Sequence, residues 1–416
     1  MIKVQKTQNI ASIEKYYEVL DEWQRKDCDL LLPKQLHNWR MGGKAALVQF
    51  IITWAKRFPL GRLITHVQDS SDADTQLQRL CDEDHGLVGV MMASDIVTIA
   101  GDASLKASAY RFAERRIARM IDFSVPEKSK NAVRGPAILL LCADNTTKAH
   151  LPSFYYQNPR LKKQVRSVHD FEELAKRILY HCLSFASNLR RDEFPESYKR
   201  SVGKILRELF KNTDDWAKTD HTERRLIRSV RGVIARSYVK EGPQPVDLFK
   251  DAEGSTALEA YLRHKELREA VLRPSFFELS IFDSGPGLAL RWLGRPLGPD
   301  ERIEDEYTAV MACLHKHGTS SAHTHRGIGL HSVMRTLSER KGFLKIRTGR
   351  LSVYRDFVSD PYVGQEEEVS DGEKEKSTTY MLDWHSKTSR LNTMPRAEGT
   401  LVTMFIPLTA SRVSNE

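Results

Sequence analysis

The chain is 416 residues long, more than the roughly 250 to 300 at which a single hydrophobic core stops growing, so two or three domains are expected. With 40% hydrophobic and 29% charged residues it has the composition of a globular protein and not of a disordered or fibrous one. Its longest apolar stretches, Ala46 to Ala55 and Ala137 to Ala143, fall short of the roughly 20 residues of a membrane span.

The formal net charge of +9 permits attraction to nucleic acid and equally fits a basic solvated surface. Basic residues gather in RLKKQVR (Arg160 to Arg166) and ERRLIRSVRGVIAR (Glu223 to Arg236), without the aromatic interleaving of a single-strand stacking platform. The N-terminal MIKVQKTQNIASIEKYYEVL lacks the apolar core and cleavage site of a secretory signal, so a cytoplasmic location is expected. Cys28, Cys81, Cys142, Cys182 and Cys313 are scattered, with no Cys-x-x-Cys pair, and read as reduced, mostly buried thiols.

Residues 1–160 read as an N-terminal α/β domain of unknown role. ALVQFIITWAKRF has helical apolar spacing and stops near Pro59-Leu60-Gly61, after which RLITHV reads as a short strand. GLVGVMMA and GPAILLLCA read as buried strands, and Ser104 to Ile121 as an amphipathic helix. A turn-rich exit through Asp144-Asn145-Thr146-Thr147 and Pro152-Ser153 places the domain boundary near 155–165.

Residues 161–416 then open with two long helical patterns, FEELAKRILYHCLSFASNL and SYKRSVGKILRELFKNTDDWAK, separated by a polar break at Arg190 to Pro195. RGVIARSYV and FFELSIF read as strands, with a helical insertion near 240–275 between them. A helix from Leu330 to Arg340 is closed by Gly342, where a C-terminal cap is expected. FLKIR and RLSVYRDF flank Thr348-Gly349 as a tight hairpin. An acidic loop near 359–378 and a final strand, GTLVTMFIPL, complete the chain.

Chemistry gathers in three places. Glu208, Asn212 and Asp215, at helical offsets of four and seven, share one face of a helix. Such a face is often only solvated, but its oxygens suit magnesium and its carboxylate can activate a water. In SIFDSGPGL, Asp283 ends an apolar strand where a carboxylate can accept from an exocyclic amino group, and Gly285 and Gly287 let a flat base or a turn come close. In HKHGTSSAHTHRGIGLHSVMRTL, Gly327 and Gly329 stand before a helix whose free N–H groups can receive phosphate, and Gly318, Thr319, Ser320 and Ser321 precede them. His315, His317, His323 and His325 lack supporting cysteines or carboxylates, and the segment reads as a polar lid.

In this order the motifs resemble the nucleotide site of the GHKL superfamily, named for gyrase, the large heat-shock chaperone, histidine kinases and mismatch-repair MutL. LRELFKNTDDWA is similar to its helical N-box, E-L-x-x-N-x-x-D-A, with Trp216 in the small-residue slot. IFDSGPGL is similar to its D-x-G-x-G box, HGTSS and RGIGL to its lid and second glycine box, and GTLVTMFIPL to its closing Gly-Thr strand. The resemblance covers roughly residues 165–410. It implies the Bergerat fold, an α+β two-layer sandwich with a mixed, largely antiparallel sheet.

By position it implies ATP and Mg2+ as cofactors, with Asn212 holding the magnesium and Asp215 in the same helical box. Asp283 would contact adenine, Gly285 and Gly287 would shape the base pocket, and Thr400 would lie beside Asp283. Gly318, Thr319, Ser320, Gly327, Ile328, Gly329 and Leu330 would line the phosphates. Glu208 stands where hydrolysing members carry their general base, which favours ATP hydrolysis. A kinase-like phosphotransfer would need an acceptor such as His169, which lies close before these helices. Hydrolysing members also bring a lysine to the terminal phosphate from a following domain; here it would come from the N-terminal domain, the insertion, the lid or a second subunit.

The expectation is therefore a magnesium-dependent ATPase working as a conformational switch on a protein or nucleic-acid partner, without a membrane and with a homodimer left open. The alternative is an ATP-binding signalling or assembly module that does not turn over.

Overall fold

The computed structural model describes residues 1–6, 8–24, 27–36, 41–68, 71–120, 137–148, 150–157, 163–183, 196–238, 248–252, 254–269, 275–298, 300–314, 329–362 and 380–408. The N-terminal part runs β1 (Ile2–Lys3), α1 (Ile10–Glu22), β2 (Leu30–Leu31), α2 (Gly43–Arg57), β3 (Arg62–Ile64), α3 (Ala73–Asp82), α4 (Asp84–Met92), β4 (Asp95–Val97) and α5 (Lys106–Arg119). Its four short strands form a parallel sheet in the order β1-β2-β3-β4. Each crossover carries a helix, as parallel pairing requires. Asn9 starts α1 with a capping box, its side chain accepting from the Ser12 N–H while the Ser12 hydroxyl accepts from the Asn9 N–H.

The rest runs β5 (Ala137–Ala143), α6 (Val168–Leu183), α7 (Glu196–Trp216), β6 (Val230–Tyr238), α8 (Leu248–Asp251), α9 (Thr256–Leu262), α10 (Lys265–Glu269), β7 (Phe276–Asp283), α11 (Leu288–Leu293), α12 (Ile303–Leu314), α13 (Gly329–Glu339), β8 (Phe343–Gly349), β9 (Leu351–Asp356), β10 (Leu382–Asp383) and β11 (Ala397–Pro407). Seven strands form one sheet in the order β10-β9-β8-β11-β7-β6-β5. Every described pairing in it is antiparallel, where a mixed sheet was expected. The chain is thus of the α/β class, with one parallel and one antiparallel sheet. Among the described residues no helix is long and apolar enough to cross a membrane.

Three sequence expectations shift. GLVGVMMA is the helix α4, not a strand: a short run apolar on all sides carries no period to tell the two apart. Gly86 and Gly89 let that helix approach Leu80 and Leu32 closely. AILLLCA is β5, the edge strand beside β6 in the large sheet, so the passage between the sheets falls before Ala137 and not near 155–165. Finally, α13 ends in a Schellman motif whose left-handed residue is Lys341, at φ 51°. Gly342 follows it, its N–H donating to Leu337 O at 2.8 Å while Lys341 N–H donates to Ser338 O at 3.1 Å.

The hairpin between β8 and β9 pairs Thr348 with Leu351, leaving Gly349-Arg350 as the turn. Buried Glu306 of α12 receives the Arg350 N–H at 2.9 Å and its Nε at 2.7 Å, and a side chain at Gly349 would collide with that carboxylate.

The register places Glu278, Ser280, Thr403, Lys345 and Arg347 on one face of the large sheet, and Ile281, Asp283, Thr400, Val402 and Thr348 on the other. The second face meets α6 and α7, which pack on each other so closely that a Cβ at Gly203 would sit 2.6 Å from Glu172 Cα and 2.9 Å from Phe171 O. Both obstacles are backbone. Gly203→Ala is therefore expected to lower stability by about 1–3 kcal/mol; an unfolding midpoint equal to wild type would contradict this packing.

The first face meets the N-terminal part. Arg347 pairs with Glu14 of α1 (Nε to Oε1 3.1 Å) and lies over the Tyr17 ring, and the Gly42 N–H donates to Glu278 Oε2 at 3.1 Å. Burial pushes Lys345 on this face down to about 8, Glu14 opposing and Arg347 adding to the shift. Apart from Leu31, Ile64 and Val97, which cluster separately on the small sheet, the buried apolar side chains of both parts join in one continuous core, so the large sheet is covered on both faces. Cys28, Cys81, Cys142 and Cys182 are buried in it as free thiols, and Cys313 is half-buried.

Candidate functional site

Four of the expected residues meet at the end of β7. Asp283 retains 8% of its surface. Its Oδ1 accepts from Gly285 N–H at 2.8 Å and from Thr400 N–H at 3.3 Å. Oδ2 has no hydrogen-bond partner among the described residues. Desolvation pushes the carboxyl up to about 6, against the two backbone N–H groups and the more distant charges of Lys56 and Arg231.

The glycines are required by geometry. Gly287, at φ 88°, precedes α11, and a Cβ there would lie 2.8 Å from Thr348 Oγ1. Thr348 Oγ1 in turn receives the Leu288 N–H at 3.2 Å and sits 3.3 Å from Thr400 Oγ1. At Gly285 a Cβ would lie 2.8 Å from Ala217 Cα, which brings the end of α7 against the turn after β7. Gly399, at φ 71°, lies where the β8–β11 register slips between Ala397 and Thr400, and any side chain there would strike the Asp283 carbonyl.

Along α7, Glu208, Asn212 and Asp215 are all partly exposed, while Leu209, Phe210 and Thr213 are buried. Glu208 is ion-paired with its neighbour Arg207 at 2.7 Å, their side chains 22% and 23% exposed. Asp215 pairs with Lys211 one turn back. The large residue in the small-residue slot is accommodated because Ala217 takes the contact with Gly285. The Trp216 ring lies under the Arg291 guanidinium at 5.6 Å, and Arg291 also donates to Trp216 O at 2.7 Å.

Asp214, one position before Asp215 and off the face that Asp215 shares with Glu208 and Asn212, turns inward. It accepts from Tyr155 OH at 2.5 Å and lies 3.3 Å from fully buried Arg231, whose Nε is 2.8 Å from Asp144. Arg231 is the cross-sheet register partner of Asp283, so this buried ion-pair network stands directly beside that carboxylate. Gly329 and Leu330 open α13. His315, His317, Gly318, Thr319, Ser320, Ser321, His323, His325, Gly327 and Ile328 lie outside the described residues, as does 363–379 of the acidic loop.

Among the described residues no three His, Cys, Asp or Glu side chains converge as a metal-binding group. His264, Asp356 and Ser359 do meet, but Asp356 Oδ2 (2.7 Å) and Ser359 Oγ (3.1 Å) address the same ring nitrogen, Nε2. A serine-histidine-aspartate relay needs the two opposite nitrogens, so this contact fastens the insertion to β9 instead. His169 is exposed on the first turn of α6, 3.8 Å from Glu172. No known protein family, curated protein or solved structure matches the chain.

The donor set of the corner fits an amino-bearing heterocycle. It offers one acceptor oxygen that no described residue engages, its twin pinned by backbone, on a turn drawn tight because Gly285 packs against Ala217 and Gly287 against Thr348. Asn212 offers a neutral oxygen of the kind that completes a magnesium shell made mostly of phosphate and water.

Proposed function

We propose that the chain binds ATP with magnesium at the Asp283 corner and hydrolyses it, using the cycle as a cytoplasmic conformational switch on a protein or nucleic-acid partner. The observation that carries this is Oδ2 of Asp283, an acceptor that no described residue engages and that two N–H groups on its twin oxygen hold in place. In this reading that oxygen accepts from the adenine amino group, while Gly285 and Gly287 let the turn close against Ala217 and Thr348 and so fix where the carboxylate is presented. Asn212 would hold the magnesium, which would neutralise the phosphate charge. The resemblance assigns Gly318, Thr319, Ser320, Gly327, Ile328, Gly329 and Leu330 to the phosphates, the last two at the N-terminal turn of α13. Glu208 takes the proton of the attacking water as its oxygen bonds to the terminal phosphorus and the bond to the bridging oxygen breaks.

The Arg207–Glu208 ion pair favours a second reading, a module that binds ATP without turnover, because a carboxylate held by a guanidinium is turned away from an attacking water. Titration with ADP and a non-hydrolysable ATP analogue, alongside phosphate release from ATP, separates the two. Saturable magnesium-dependent binding with release is the expected result, binding without release leaves the second reading, and no binding removes both. If the basic surface meets nucleic acid, that affinity should fall steeply with salt.

A further inference from the structure

The polar side chains of α2 form a stripe. This helix is buried on nearly every side, yet Gln49, Thr53 and Lys56 follow one another at offsets of four and three along one face. Gln49 Nε2 donates to Arg347 O at 2.8 Å. Thr53 Oγ1 receives the Glu398 N–H at 2.9 Å. Lys56 Nζ donates to Ser284 O at 3.0 Å and Gly285 O at 3.1 Å and pairs with Glu398 Oε2 at 2.8 Å. These contacts reach three separate backbone segments: the end of β8, the irregular start of β11 and the turn after β7. They are the segments that carry Thr348, Thr400 and Gly285, the neighbours of Asp283.

α2 adds an anchor where the ladder is interrupted. Gly287, Gly349 and Gly399 all have positive φ, and the β8–β11 register is broken between Ala397 and Thr400, so ladder pairing alone does not hold the start of β11 or the turn after β7. Lys56 supplies a cation to two successive carbonyls that point away from the nucleotide side, and the N–H of one of those residues, Gly285, holds Asp283 Oδ1.

We propose that α2 is a working part of the nucleotide corner and that Lys56 is its positioning residue, clamping the 284–285 turn so that Asp283 is presented to the base. Through the same contacts, nucleotide occupancy reaches the N-terminal part. The proposal rests on the nucleotide reading of the Asp283 corner. Lys56 does not touch the nucleotide in this scheme; it acts through Gly285.

The test is made on the full chain with Lys56→Met, which keeps the apolar stem and removes the cation. Glu398 then retains Arg396, 3.3 Å away, as a partner. Lys56→Met with Glu398→Gln serves if the single variant folds poorly. In the absence of nucleotide, the Gly285 and Thr400 amides should exchange at least tenfold faster than in wild type. The Kd for ADP and the KM for ATP should rise about tenfold while kcat stays within twofold, and Lys56→Arg should restore both. Unchanged exchange, or faster exchange with unchanged nucleotide affinity, overturns the positioning role. So does a loss of binding that merely follows the loss of folded protein. A wild-type chain that binds no adenine nucleotide overturns the function on which the proposal rests, a result visible before any variant is made.

Discussion

Asp283→Asn is expected to abolish adenine-nucleotide binding at working concentrations while leaving the protein folded. The substitution keeps Oδ1 as acceptor for Gly285 and Thr400 but turns the other position into an N–H2 donor facing a donor on the base. Losing a hydrogen bond to a charged acceptor in a desolvated site costs about 1.5–3 kcal/mol, and the donor-donor clash adds to it, so Kd should rise about a hundredfold or more. Calorimetric titration with ADP reads this directly, and a Kd within threefold of wild type would remove Asp283 from the site.

The same variant should be more stable than wild type at neutral pH. Because burial raises the Asp283 carboxyl to about 6 from its ordinary 3.8, the folded chain binds a proton more tightly than the unfolded one. Stability is then greatest below about pH 4 and is lost progressively as pH rises through 6, above which the ionised group is buried at its full cost. That cost is at most about 3 kcal/mol, reduced by the exposure that Asp283 retains. Asn cannot ionise, so the gain should appear above pH 6 and vanish near pH 4.

Nucleotide affinity should run the opposite way. If only the carboxylate accepts from the base, wild-type affinity should fall about tenfold between pH 7 and pH 5. Stability lost on substitution at pH 7, or affinity flat across this range, would contradict the assignment.

What could be read from the sequence was what local spacing determines. The periodicity of α2, α5, α6, α7 and α13 and the apolar runs of β5, β6, β7 and β11 were legible because each buries a face whose period is its own. Asp283 with Gly285 and Gly287 would alone pass for a turn, and stood out only through its place between LRELFKNTDDWA and RGIGL. The rest depends on partners far along the chain. AILLLCA reads as a buried strand in either sheet, and only its pairing with β6 decides which. Glu14 meets Arg347, and Lys56 meets Ser284 and Glu398, across separations at which sequence carries no register. Asp214 and Asp215 differ only in which way α7 turns them. The polar stripe of α2, Gln49, Thr53 and Lys56, has no local signal that distinguishes carbonyls of a second sheet from water as its partner.

Glu208→Gln should separate binding from chemistry. The amide keeps the volume of the side chain and its contact with the helix surface, so Kd for ADP and for a non-hydrolysable ATP analogue should stay within threefold of wild type. Phosphate release should fall by about 10²–10⁴, the usual contribution of a positioned general base. Arg207 gives the experiment a second arm. Residues adjacent on a helix do not face each other, so Arg207 reaches Glu208 only by folding back along the surface, at 2.7 Å and with both side chains partly open to solvent. Such a pair is held by about 1 kcal/mol or less and is easily exchanged for a substrate contact. Arg207→Met should therefore leave nucleotide affinity nearly unchanged. If the pair restrains the base, release should rise several-fold in Arg207→Met and return to the low level when Glu208→Gln is added. Release equal to wild type in Glu208→Gln would show that another group activates the water. Absent release in wild type and Arg207→Met alike, with nucleotide binding intact, would identify a module in which ATP is held and not spent.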